Sequence, residues 1–222
     1  MAIGDIIVGM DIGTSKVSIV IGEVNNFNQI EVIYTDSQKC RGIKKGKIID
    51  EDEIVLAVTK LIKNAEIDAN LTINSTYITI PGKYVTIVQN SILKDAKDRY
   101  AGISMKDVSA SIMQVSDIDI PEGKQIIDIV TDRFILENGR IVQDPVGSLS
   151  SSFTLKAQII LADKEYIKKI TNILKRAYIE IDGLVPVTLA ERCIALDSNE
   201  LGDNIMPVSY THLRAHETVL DL

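Results

Sequence analysis

Tryptophan is absent from this 222-residue chain, and aromatic residues of all kinds make up only 5% of it. Any core must therefore be aliphatic, drawn from the Ile, Val and Leu within a hydrophobic fraction of 45%. No apolar run approaches the roughly 20 residues needed to cross a bilayer. The opening MAIGDIIVGM lacks the basic stretch of a secretion signal. Cysteine is scarce. Cys40 and Cys193 lie far apart and form no C-x-x-C pair, a usage that suits reduced thiols in a cytosol. Positive charge is in deficit, with a net charge of −7, which argues against a general nucleic-acid surface. Repeats and low-complexity segments are missing too. What remains is the profile of a soluble intracellular protein with one large or two small domains.

The segments that are present alternate between strand and helix. Ile6 to Met10, Val17 to Val24 and Ile30 to Tyr34 read as short apolar strands. Asp50 to Glu66 reads as a helix, with Asp50 as N-cap and Glu53 in the capping-box position. Its apolar residues Ile54, Val58, Leu61, Ile62 and Ala65 recur on one face. Ser75 to Ile80 is the next strand, closed by Pro81-Gly82. Tyr84 to Leu93 is a strand, and Ser104 caps a helix with Met105, Val108, Ile112 and Val115 on one side. Gln125 to Leu136 leads into an Asn138-Gly139 hairpin turn, and Phe153 to Leu161 is a further strand. This order predicts a small α+β subdomain inserted between Gly82 and Ala162. Asp163 caps a second long helix through Ala177, with Ile167, Ile170, Ile173 and Leu174 periodic. Tyr178 to Val185 reads as a strand and Val187 to Leu196 as a helix.

Residues 206–222, MPVSYTHLRAHETVLDL, have no continuous relation to what precedes them. Both histidines of the chain, His212 and His216, fall here, and with Glu217 their spacing invites a zinc site. The segment instead resembles a translated adaptor sequence and is set aside from fold reasoning.

One turn carries chemistry. DIGTSK, residues 11–16, lies between two strands rich in β-branched residues. A tight turn of this kind converges backbone N–H groups on an anion, and a glycine allows close approach. Thr14 and Ser15 add hydroxyl donors, and Lys16 adds a charge for phosphate oxygens. Asp11 would repel phosphate unless a cation stood between them, which suits an outer-sphere Mg²⁺ partner. An ordinary polar hairpin turn is the alternative. Neither a Walker A loop nor a G-x-G-x-x-G fingerprint occurs.

VGMDIGTSKVSIVIGEV resembles the first phosphate motif of the actin/Hsp70/sugar-kinase superfamily. CRGIKKGKIID (40–50), ITIPGKYV (78–85) and DPVGSLSSSFTLKAQIILAD (144–163) then resemble one branch, the FtsA family of bacterial cell-division proteins. The resemblance runs from about Ile7 to Leu201. It implies an α/β chain with the first half of an actin-like ATPase fold. Subdomain 1A would comprise residues 1–82 and 163–205, with a mixed sheet and flanking helices, and an inserted subdomain 1C would span 83–162. The resemblance further implies ATP and Mg²⁺ as ligands. Gly13, Thr14, Ser15 and Lys16 would contact the phosphates, and Asp11 would orient Mg²⁺ through water. Arg41, Gly42 and Gly46 match a family signature and would form a surface turn near the nucleotide, or simply a basic glycine-rich loop.

The implied protein polymerises through contacts in 1C and tethers the FtsZ ring, among other division proteins, to the inner face of the cytoplasmic membrane at midcell. FtsZ would be engaged through subdomain 2B and the membrane through a C-terminal amphipathic helix; neither segment occurs in these residues. The second phosphate motif, D-x-G-x-x-T, is expected just after Leu201 and Gly202, where the sequence reads DNI and then the foreign tail. Val185 precedes Pro186 where hydrolysing relatives place a Gln or Glu, and Glu191 reads as a helix-surface residue. Any ATPase activity is therefore expected to be weak at most, and to belong to a longer protein. Alternative readings are a PilM-type pilus-assembly protein and a sugar or acetate kinase of the same superfamily.

Overall fold

Alternation of burial builds the first sheet. In the computed structural model, which describes residues 2–97 and 101–195, β1 (Ile6–Ile12), β2 (Lys16–Val24) and β3 (Ile30–Lys39) form an antiparallel meander. Val8, Met10 and Ile12 of β1 and Val17, Ile19 and Ile21 of β2 are buried, while the residues between them face the other side. A small hairpin follows, β4 (Ile43–Lys44) and β5 (Lys47–Ile48). Its two turn residues, Lys45 and Gly46, have φ of 49° and 70°, the left-handed pair of a type I′ turn.

Helix α1 (Glu51–Ala69) packs on β2 and β3 and extends three residues past the expected end. Ile54, Ala57, Val58, Leu61, Ile62 and Ala65 are buried. Each of the larger of these side chains contributes about 1.5–3 kcal/mol on leaving water. Asp50 accepts from the Glu53 N–H at 3.0 Å, as its sequence position predicts. The Glu53 carboxylate does not complete the capping box. It accepts from the Arg41 N–H at 2.6 Å, while the Asp50 N–H donates to the Gly42 carbonyl. The helix closes at Asn70, whose φ of 51° is left-handed. β6 (Ser75–Ile80) then returns parallel to β1.

The chain divides into two units, Met1–Gly82 with the chain from Ile173, and Lys83–Asn172. The second unit is an antiparallel sheet with a helix on one face. β7 (Val85–Asp95) precedes α2 (Met105–Val115), β8 (Lys124–Leu136), β9 (Ile141–Val142) and β10 (Ser152–Asp163), in the sheet order β7-β10-β8-β9. Phe153, Leu155, Ala157, Phe134 and Leu136 form its core together with Val108 and Val115 of α2. Met105 corrects one expectation, because it is exposed while Asp107 and Ser111 are buried. The cause is a reciprocal capping box. The Ser104 N–H donates to Asp107 Oδ2 at 3.0 Å and the Asp107 N–H donates to Ser104 Oγ at 3.3 Å, which turns Asp107 inward.

Asp163 caps α3 (Lys164–Arg176) by accepting from the Tyr166 N–H at 3.0 Å. The second unit continues through Asn172 and so takes in the first nine residues of this helix, beyond the 83–162 range expected for the insert. Tyr166 stacks on Tyr84 within that unit, ring centroids 3.9 Å apart. Tyr178 does not begin a strand. It holds a left-handed φ of 61° and is exposed, ending the helix, while the Ile179 N–H reaches back to the Leu174 carbonyl. β11 (Glu180–Pro186) then pairs parallel with β6 and completes the mixed sheet β11-β6-β1-β2-β3, and α4 (Val187–Ala195) follows directly. The expected second phosphate motif and the tail at 206–222, with His212, His216 and Glu217, lie outside the described residues.

Candidate functional site

Asp11 stands next to last in β1, on the sheet face opposite α1. β6 runs alongside, and the Thr79 hydroxyl donates to Asp11 Oδ1. The Gly13 N–H closes the turn onto the Lys16 carbonyl at 2.9 Å. That N–H is engaged within the turn, so the contribution of Gly13 is the side chain it lacks. A Cβ here would lie 3.2 Å from the Lys16 carbonyl oxygen and 3.3 Å from Asp11 Oδ2, crowding the carboxylate. Thr14, Ser15 and Lys16 are all exposed. The structure thus brings Asp11, Gly13, Thr14, Ser15 and Lys16 together at one sheet end, with the carboxylate oriented by a threonine from the neighbouring strand.

The Cys40 N–H donates to the Ser15 carbonyl at 3.1 Å, which fastens the end of β3 to this turn. Cys40 itself is buried, and that burial pushes its thiol above the ordinary range. Arg41, Gly42 and Gly46 lie just beyond. A Cβ on Gly42 would sit 2.4 Å from the Asp50 carbonyl oxygen and 2.5 Å from Ile54 Cγ1, so this glycine seats the start of α1 against the hairpin. Arg41 is exposed and holds Glu53 through its backbone. Glu191 is exposed on α4.

Below Asp11 the same sheet face carries a shallow depression of about 250 Å³, lined in part by Gly9, Val20, Tyr77, Thr79 and Val185. Among the described residues no three His, Cys, Asp or Glu side chains gather as a metal cage. The donor set here fits Mg²⁺ held by one carboxylate through water together with phosphate oxygens, the usual mode for that ion. Nor, among the described residues, is any helix long and apolar enough to cross a membrane. Thr79 escaped the sequence reading. Its strand was legible, but its neighbour β1 is 68 residues away in sequence, and no local pattern announces that pairing.

Residues 82–161 match the family model described as the SHS2 domain inserted in FtsA. The chain is 25% identical over 201 residues to the cell division protein FtsA of Pseudomonas aeruginosa, covering 90% of this chain and 48% of that protein. FtsA of Bacillus subtilis is 24% identical over 196 residues, covering 88% and 44%. The chain spans about half the length of the curated relatives it matches. Among solved structures, the PilM-PilN type IV pilus biogenesis complex superposes with a TM-score of 0.54 at 11% identity, covering 81% of this chain and 47% of that one, a likeness of fold alone. Fold and insert together define half of an actin-like ATPase fold carrying an SHS2 subdomain. Within that class the chain is similar to the N-terminal portion of FtsA proteins, at 24–25% identity, and carries a match to their SHS2 insert.

Proposed function

We propose that this chain is the ATP-binding first half of an FtsA-type cell-division protein. Thr14 and Ser15 donate to phosphate oxygens, Lys16 neutralises them, and Gly13 leaves room for the approach. Asp11, steadied by Thr79, orients the waters of a Mg²⁺ ion that screens the phosphate charge. In the whole protein, nucleotide occupancy switches assembly into a polymer with contacts through the SHS2 unit. That polymer links the FtsZ ring and other division proteins to the inner face of the cytoplasmic membrane at midcell. The observation that carries the reading is the Thr79–Asp11 hydrogen bond beside the Gly13–Lys16 turn, on a chain similar to FtsA proteins over nine-tenths of its length.

The turn alone faces water, where high dielectric and salt weaken every phosphate contact. Residues 1–222 should therefore bind Mg·ATP weakly and hydrolyse none. A chain continued to the length of its relatives should bind it tightly, and Lys16→Ala or Asp11→Ala should weaken that binding. Calorimetry on both chains tests this. Micromolar affinity in residues 1–222, unchanged by either substitution, would show that the nucleotide sits elsewhere.

A further inference from the structure

The phosphate turn opens directly onto a pair of like charges. Lys16, the first residue of β2, stands opposite Lys39, the last residue of β3. Val17, Ile19 and Ile21, which alternate with Lys16, are buried on the α1 side. Lys16 and Lys39 therefore share the opposite face, the one that carries Asp11 and Thr79. Like charges placed directly opposite in an antiparallel pair repel. Among the described residues no carboxylate comes within ion-pairing distance of either ammonium. The chain cannot relieve the repulsion by letting this edge fray, because the Cys40 N–H is bonded to the Ser15 carbonyl and the Cys40 side chain is buried. The fold thus places two exposed lysines directly opposite each other, on one sheet face, at the end of a turn that carries two hydroxyl side chains. Such a pair is unfavourable alone and favourable around a multivalent anion.

We propose that Lys39 is a second phosphate-binding cation, and that Lys16 and Lys39 bracket the polyphosphate of the bound ligand. This rests on reading residues 11–16 as a phosphate site. It specifies the ligand class further: a polyphosphate, with at least two charged oxygens to share between the lysines, rather than a monophosphate. A lysine that only guarded the exposed edge of the sheet would leave the response to such an anion unchanged.

Thermal melts of residues 1–222 test it, comparing the native chain with Lys16→Thr, Lys39→Thr and Lys39→Gln. Each is run alone, with millimolar sodium tripolyphosphate, and with Mg·ATP. At low salt and without anion, Lys39→Thr is expected to melt above the native chain, because the repulsion is gone and a good strand former replaces the lysine. That gain should vanish at about 0.5 M salt, where screening is nearly complete. Tripolyphosphate should raise the native melting temperature, and raise those of both Lys39 variants by less than half as much. Lys39→Arg should restore the full response. An equal tripolyphosphate shift in native and Lys39→Gln chains, or no shift in the native chain, overturns the proposal. So does a Lys39→Thr chain that melts below the native one at low salt without anion. If Mg·ATP shifts the native chain and both Lys39 variants equally but leaves Lys16→Thr unmoved, the nucleotide reading stands and the lysine pair falls. If tripolyphosphate acts through both lysines while Mg·ATP fails to bind even a chain continued to the length of its relatives, the pair stands and the nucleotide reading falls.

Discussion

The Thr79 hydroxyl donates to Asp11 Oδ1, joining two residues 68 positions apart through the parallel pairing of β1 and β6. The bond orients the Asp11 carboxylate, the group proposed to face a hydrated cation. Both partners lie near solvent, so their hydrogen bond adds little to stability, on the order of 1 kcal/mol or less.

Thr79→Val keeps the strand shape and removes the donor. The melting temperature should change little, whereas the part of nucleotide or triphosphate binding that depends on Mg²⁺ should weaken several-fold. Titrations with and without Mg²⁺ separate the two. Equal weakening in both conditions would mean that Thr79 acts on packing rather than on Asp11.

Gly42→Ala should be among the most damaging single-methyl changes in the chain. The added Cβ would meet the Asp50 carbonyl oxygen at 2.4 Å and Ile54 Cγ1 at 2.5 Å, and the first of these is backbone that cannot step aside. A loss of about 2–3 kcal/mol is expected, read from urea unfolding. The comparison is Gly139→Ala, where the new Cβ meets nothing within 4 Å and the strain is only the left-handed φ of 81°. That change should cost about 1 kcal/mol. If the two losses are equal, the seat of α1 on the hairpin is looser than this packing shows.

Asp107 provides an acid-sensitive element. The Ser104 hydroxyl, followed by the Ser104 backbone N–H, holds its carboxyl below the ordinary range. A depressed folded-state pKa stabilises above the unfolded value, near 3.9. That stability is lost as pH falls from there through the folded value. The gap in urea midpoint between the native chain and Asp107→Asn should therefore be widest near neutrality and narrow below about pH 4. A gap that stays constant down to acid pH would remove the capping carboxylate from the account.

Phe153 is fully buried, and its ring lies 5.9 Å from that of Phe134 in a tilted arrangement. With so few aromatics in the chain, this pair anchors the core of the SHS2 unit. Phe153→Ala should lose about 3–5 kcal/mol. Hydrogen exchange should show the protection lost first in β8 and β10, the strands that carry the two rings. Loss spread evenly over both units would contradict the division of the chain.

The sequence by itself determined the long helices and most of the long strands to within a few residues, wherever the apolar period was clean, but β3, read as Ile30 to Tyr34, runs on to Lys39. Ile54, Val58, Leu61, Ile62 and Ala65 of α1 repeat every three to four positions, and a lone helix that buries one face can write itself in no other way. The turn at 11–16 was equally legible, because its glycine, hydroxyls and lysine are consecutive. Short-range choices between partners were not. Glu53 occupies a capping-box position and caps nothing, since the Arg41 N–H lay closer at hand once β3 and α1 had met. Met105 carries the apolar period of α2 and is exposed, because the box formed by Ser104 and Asp107 rotated the first turn. Tertiary structure alone decided which strands became neighbours. Thr79 reached Asp11, and Lys39 came to face Lys16, through sheet order and register. Those depend on long-range pairing, and a hydrophobic pattern sets the face of each strand without naming the strand beside it.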